Sequence, residues 1–262
     1  MRTIVLALHC HPDDIEFAFA GTLFLLKDRG CELHYLTLAN GSCGSSIHGI
    51  EDTVRLRAQE ARNAAACLGA EFHESIVNDL EVFHTNDIIR RVVATIRRIQ
   101  PDIMLVPAME DYMEDHMNTS RVAVTAAFAR GMRNFTSFPP LAPIDKDVTL
   151  YHGLPHGLRD GLRRRVVPDF FVDISAVIQE KERMLACHES QKQWLDESQG
   201  MDAYLLAMRE MSAQAGNMSG RFAYAEGWTR HNHLGYSRSE IDPLADLLKE
   251  HICLASPRQA EE

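Results

Sequence analysis

Short apolar runs that end in polar turn formers alternate, through the first half of the chain, with stretches whose apolar positions recur at helical spacing. Ile4 to Leu8 is a continuous apolar run that stops at polar residues, the pattern of a strand buried on both faces of a parallel sheet. From Ile15 to Lys27, Phe17, Phe19, Ala20, Leu23 and Leu26 keep helical spacing, and Gly30 fits as a stop. Glu32 to Ala39 reads as a second strand, followed by the turn formers Asn40-Gly41-Ser42-Cys43-Gly44. The alternation then repeats. A helix over Asp52 to Leu68 is stopped by Gly69, a short strand covers Glu71 to Ile76, a helix over Asn86 to Ile99 is closed by Pro101, a strand runs from Ile103 to Val106, and a helix from Asn118 to Arg130. Strand and helix in regular succession predict an α/β fold, Rossmann-like, with a doubly wound and mostly parallel sheet covered by helices on both faces.

Beyond Arg130 the pattern loosens. Pro139, Pro140 and Pro143 mark a loop, Val148 to His152 a strand, and the rest reads as largely helical over Ser175 to His188, Met201 to Gln214 and Ile241 to Cys253. With no repeat and no low-complexity tract, the expected organisation is one domain over 1–262, with a core over about 1–135 and a C-terminal strand and helical extension over about 145–262.

Composition narrows the partners. The chain has 262 residues, 45% hydrophobic and 24% charged, enough for a sizeable core. Its net charge of -10 argues against a general nucleic-acid binder, which needs Lys and Arg in excess on one face. No apolar stretch is long enough to span a membrane, and the first apolar run meets His9 and His11 too soon for a signal peptide. The six cysteines stand singly with no C-x-x-C pair, so they are expected to be reduced and mostly buried in a cytoplasmic protein. A small molecule is the expected partner, and a homo-oligomer stays open.

His11-Pro12-Asp13-Asp14 follows the first strand, and open parallel sheets bind ligands outside the carboxyl ends of their strands. An imidazole and a carboxylate three residues apart at a strand-to-helix turn can face one point, which leaves Asp13 free for a different task. Glu110-Asp111-Tyr112-Met113-Glu114-Asp115-His116 follows the strand Ile103 to Val106 in the same way. If those two strands are neighbours, His116 completes a His, Asp, His set that leaves a position open for water on a tetrahedral zinc. The same donors form the facial triad of ferrous oxygenases, so ligand type alone does not fix the reaction, although the sheet type weighs against that alternative. No G-x-G-x-x-G follows the first strand, which removes the main sign of a dinucleotide cofactor.

These segments resemble the LmbE-like or PIG-L-like N-acetylglucosaminyl deacetylases, whose hallmark is His-Pro-Asp-Asp after the first strand. The likeness extends to Gly21, to the loop Asn40-Gly41 to Gly44, to Arg57-x-x-Glu60 with Leu68-Gly69, and to Asp115-His116. It continues through Asp173-Ile174-Ser175, Lys181, His188-x-Ser190-Gln191 and Ala225-Glu226-Gly227. The resemblance implies that His11, Asp14 and His116 bind Zn2+, with Fe2+ as another divalent candidate, and that Asp13 is the general base. It implies that Arg57 holds the substrate or the departing acetate, and that an N-acyl group is hydrolysed from an amino sugar or its conjugate. Asn40 and His48, in the loop after the second strand, are read with Arg57 as substrate-binding.

One position departs from the family pattern. Where the family has His-x-Asp-His, this chain has Met113-Glu114-Asp115-His116, and a methionine cannot donate a hydrogen bond to a developing oxyanion. Loss of such a donor costs about 100 to 1,000-fold in rate, so a substitute is expected. Tyr112, His152 and His156 are the candidates, with His152 preferred. His9 is read as a group behind the ligands, while His73, His84, His231 and His233 carry no assigned role, and Trp194 and Trp228 are read as core or subunit contacts. Two further readings stay open, an amidase acting on a larger thiol or secondary-metabolite conjugate and a metal-keeping binding protein that lost catalysis at Met113.

Overall fold

The computed structural model describes residues 2–192 and 203–255. Its strands are β1 (Ile4–His9), β2 (Glu32–Thr37), β3 (Glu71–His73), β4 (Ile103–Val106), β5 (Thr149–Gly153), β6 (Phe170–Asp173), β7 (Ala225–Arg230) and β8 (Ile252–Leu254). They form one sheet in the order β3-β2-β1-β4-β5-β7-β6-β8. The strands from β3 to β5 pair in parallel, and β7, β6 and β8 are added antiparallel.

Helices α1 (Asp14–Ala18), α2 (Ala20–Asp28), α3 (Ile50–Leu68), α4 (Asn86–Ile99), α5 (Glu114–Ala129), α6 (Ile178–Leu185), α7 (Ala203–Ser219) and α8 (Pro243–Leu248) cover the sheet. The period-2 alternation of a strand divides the core. Val5 and Ala7 of β1 join Leu23, Leu26, Ala64 and Met184 on one face, while Leu6 and Leu8 join Val92, Ile96, Val122 and Ala126 of α4 and α5 on the other. β1 lies between β2 and β4, so the direction of winding reverses between β1 and β4, and a crevice opens at their carboxyl ends.

The α/β reading stands, and α4 and β4 fall where the pattern puts them. The expected helix over Ile15 to Lys27 is divided at Phe19, because the Glu226 carboxylate accepts the N–H groups of Gly21 and Thr22 and starts a new helix there. α5 begins at Glu114 rather than Asn118, which puts His116 inside its first turn. The C-terminal third needs the largest correction. It is not simply a helical extension, since β6, β7 and β8 continue the sheet, and the expected helix over Ile241 to Cys253 is the short α8, a 3-10 turn and β8. These strands hold only three to six residues and are fixed by antiparallel partners far along the chain, so local patterning did not mark them.

Only Cys10 and Cys31 are buried, because Cys43 and Cys67 are exposed and Cys187 and Cys253 half-buried, contrary to the expectation for most of the thiols. Trp228 is fully buried against Phe19, and its Nε1–H donates to Thr22 Oγ1 at 3.0 Å. Trp194 and the start of the helix expected from Met201 lie outside the described residues. Among the described residues, no helix is long and apolar enough to cross a membrane.

Candidate active site

The turn after β1 is strained at the residue that matters. Asp13 adopts φ 108°, ψ -24°, a conformation that costs a non-glycine residue about 1–3 kcal/mol. The following residue, Asp14, opens α1, and its Oδ2 accepts the His11 N–H at 2.7 Å. The two neighbouring carboxylates therefore part, Asp14 turning toward β1 and α5 and Asp13 toward α3 and α7.

Asp14 Oδ2 is the centre of the cluster. His9 Nδ1 lies 3.0 Å from it, His11 Nδ1 3.3 Å and His116 Nε2 3.3 Å. Pairing of β1 with β4 is what brings His116 across, as the strand-neighbour condition required. Each of two imidazoles meets a second carboxylate, since His116 Nδ1 is 3.1 Å from Asp111 Oδ1 and His11 Nε2 is 3.3 Å from Asp115 Oδ2. Asp115 also accepts the Leu80 N–H at 2.7 Å.

Buried carboxylates packed around imidazoles need positive charge among them. Burial opposes a charged His116, yet Asp14 and Asp111 raise its pKa well above the ordinary histidine value. His11 is also raised, with burial opposed by Cys10, Asp115 and Asp14. Burial resists ionisation of Asp14, but His116, His9 and His11 hold it well below the usual carboxylate range. A divalent cation would satisfy this donor set, and Asp111 and Asp115 stand where carboxylates would orient imidazoles that held it. Ligand atoms of His9, Asp14 and His116 lie within 4.8 Å of one another, whereas His11 groups in that way with Asp14 and Cys10. Cys10 N–H already donates to His9 Nδ1 at 2.8 Å, so the lone pair of His9 is engaged and His11 is the freer donor.

Asp13 sits differently. Its Oδ2 accepts the Tyr204 hydroxyl at 2.8 Å and lies 3.3 Å from Arg57 Nη2. Burial raises its pKa, Arg57 pulls it down and Asp14 pushes it up, with a net rise. Arg57 is almost fully buried and donates to the Pro12 carbonyl as well. Gly41 and Gly44 leave the room for it, since a Cβ at either would stand 2.6 Å from Arg57 Cδ or 2.2 Å from Arg57 Nη1.

A cavity of about 490 Å³ opens over these groups, a size suited to a small-molecule ligand. His11, Asp13, Asp14, Arg57 and His116 all line it, together with Met113. Tyr112 and His156 form another part of the wall, with ring centroids 5.8 Å apart. Crowding by protein pushes the His156 pKa below the usual histidine value, although Asp14 and Asp111 pull the other way.

Three expected site residues are not on that wall. His152 is buried behind it, where Nδ1 donates to the Pro107 carbonyl at 2.8 Å and Nε2 faces His231 Nδ1 at 3.0 Å. Burial, with His231 alongside, pushes its pKa down to about 4, and no nitrogen is left for a substrate oxygen. Asn40 is spent inside the loop, donating to Asn78 Oδ1 at 2.8 Å and accepting the Ser42 N–H at 3.1 Å. His48 stands in a separate surface depression beside Asp52 and Arg55. Sequence reasoning missed Asp111, whose spacing from His116 across a loop and a helix start carries no periodic signal. It also missed Tyr204, which arrives from α7 through tertiary packing alone.

The model of the GlcNAc-PI de-N-acetylase family, PIG-L, matches residues 6–127. Diacetylchitobiose deacetylase of Thermococcus kodakarensis is 31% identical over 231 residues, which are 85% of this chain and 81% of that protein. The 4-oxalmesaconate hydratase of Pseudomonas putida is 26% identical over 198 residues, 71% of this chain and 73% of that protein. Among solved structures, the N,N'-diacetylchitobiose deacetylase from Pyrococcus horikoshii superposes with a TM-score of 0.75 at 22% identity, over 92% of this chain and 88% of that one, a likeness of fold. With the identity and coverage of the Thermococcus relative, the chain belongs to the PIG-L, or LmbE-like, family of N-deacetylases, enzymes that hydrolyse amide bonds.

Proposed function

We propose that this protein is a zinc-dependent hydrolase that removes an N-acyl group, an acetyl, from an amino sugar or its conjugate. The observation that carries the reading is the division of labour at the β1 turn, where Asp14 joins three imidazoles, those of His9, His11 and His116, and Asp13, one residue away, shares its cavity but not its partners. His11, Asp14 and His116 would hold the ion, and Fe2+ would suit the same donors. Zinc, when bound, supplies a water of lowered pKa and polarises the amide carbonyl.

The chain's own groups do the rest. Asp13, with its pKa raised by burial, takes a proton from the attacking water and returns it to the departing amine. Both of its described partners contact Oδ2, which leaves Oδ1 for that exchange. Arg57 acts by holding Asp13 and the Pro12 carbonyl, and its reach to substrate is through the cavity wall it shares with them. His156, kept neutral on the wall, offers an N–H to the substrate oxygen in the place of a histidine at Met113, with Tyr112 beside it. We read residues 1–262 as one domain in the cytoplasm, where single cysteines stay reduced.

A hydratase among the relatives means that family membership alone does not choose the reaction. The deacetylase reading is favoured by the higher identity and wider coverage of the diacetylchitobiose deacetylase. The test is acetate release from a panel of N-acetylated amino sugars and their conjugates by zinc-loaded protein. Release that depends on the metal and on Asp13 supports the reading. Absence of release across the panel, from protein shown to carry zinc, overturns it.

A further inference from the structure

β2 and β3 each carry Glu-x-His, as Glu32-Leu33-His34 and Glu71-Phe72-His73. The strands pair in parallel with His34 opposite Glu71 and Leu36 opposite His73. Because side chains alternate along a strand, this register puts both glutamates and both histidines on one face. It is the face toward α4, since Leu36 packs in that core layer while Leu33 and Tyr35 pack in the other.

The side chains converge there. His34 Nδ1 lies 2.9 Å from His73 Nε2 and 3.7 Å from Glu71 Oε2, while its other nitrogen, Nε2, lies 3.2 Å from Glu32 Oε1. One ligand atom from each of His34, Glu71 and His73 falls within 4.8 Å of the others. Bonds of about 2.0–2.2 Å at tetrahedral angles put neighbouring ligand atoms roughly 3.3 Å apart, a value that the two distances from His34 Nδ1 bracket. His34 is almost wholly buried and Glu71 exposed, so the cluster has a fixed inner donor and an open outer side.

We propose that His34, His73 and Glu71 form a second divalent metal site at the edge of the sheet, of zinc type, with Glu32 orienting His34. Glu32 takes the Nε2–H of His34, which fixes the tautomer whose Nδ1 lone pair points into the cluster. The site would clip the three-residue β3 to β2. The chain that leaves β3 carries Asp79 and Leu80, both on the wall of the active cavity. Asp79 accepts the N–H groups of Gly41 at 2.7 Å and Cys43 at 2.9 Å, so a clip at β3 steadies the loop that houses Arg57. This inference does not depend on the deacetylase reading, because its residues take no part in the active cavity.

The experiment is a zinc titration of chelator-stripped protein against a chromophoric competitor, comparing wild type, His73→Ala, a His11→Ala/Asp14→Ala double variant and the triple variant. Wild type should bind one ion more per chain than His73→Ala. The double variant should keep one ion, and the triple variant should lose it. Glu32→Gln should leave that ion bound but weaken its affinity by about 10 to 100-fold, an effect that a purely structural hydrogen bond between the histidines would not produce. Circular dichroism monitors folding in each case, and the exposed Glu71→Gln replaces His73→Ala if the latter fails to fold. A folded double variant that binds no ion, or equal stoichiometry in wild type and in the folded β3 variant, overturns the proposal.

Discussion

Asp13 holds its carboxylate on a backbone turned to positive φ, and its basicity is set first by burial, which raises its pKa, then by Arg57, which lowers it, and by Asp14, which raises it. Asp13→Asn keeps the shape and removes the base, so kcat should fall by about 100 to 10,000-fold while bound zinc is retained, as metal analysis beside the assay would show. The Tyr204 hydroxyl donates to the carboxylate and so favours the charged form. Tyr204→Phe should therefore raise the Asp13 pKa and move the acid limb of the kcat/KM profile to higher pH. A limb that stays in place separates Tyr204 from the base. His156→Ala should lower kcat by roughly 100-fold with little change in KM, and Met113→His in that background should recover part of the loss. Failure of His156→Ala to slow turnover would leave the oxyanion donor to Tyr112.

At the scale of elements, much of the family-like pattern in the C-terminal third serves architecture. Glu226 on β7 accepts the first N–H groups of α2, at 2.8 Å each from Gly21 and Thr22, and Lys181 of α6 neutralises it at 2.7 Å. The pair is almost wholly buried, so Lys181→Met leaves Glu226 without its counter-charge and should cost about 3–5 kcal/mol in a denaturant titration. The loop after β2 is similarly constrained. Gly41 lies at φ 79° with Arg57 packed beneath it, and Gly41→Ala should destabilise the fold by about 1–2 kcal/mol from the backbone alone. The same variant should alter the pH profile, because displacing Arg57 removes the cation that lowers the Asp13 pKa.

For the molecule as a whole, the active cavity joins the two halves of the sheet at the point where winding reverses, and α7 from the C-terminal third closes one wall with Ala203, Tyr204 and Ala207. The cation proposed for that crevice would be bound by the folded state alone. Chelation should therefore lower Tm by roughly 5–10 °C as well as abolish turnover, with both restored by zinc, as calorimetry and the acetate assay would show. An unchanged Tm after verified metal removal would mean that the imidazoles and carboxylates balance one another without help.

The order of strands and helices as far as α5 was legible in the sequence, because buried parallel strands and amphipathic helices leave their periods in the chain. So were the two segments that supply His11, Asp13, Asp14 and His116 to the cavity, since strand ends followed by ionisable residues mark the crevice of such a sheet. The rest was decided by contacts that no local pattern records. Pairing of β1 with β4 brought His116 to Asp14, burial of both nitrogens took His152 out of the cavity, and packing of α7 delivered Tyr204 to Asp13. β6, β7 and β8 are runs of three to six residues, too short to show a period, and antiparallel neighbours far along the chain satisfied their backbones. Periodicity reports which face of a segment is buried, whereas the partner that buries it is chosen only when the whole chain closes on itself.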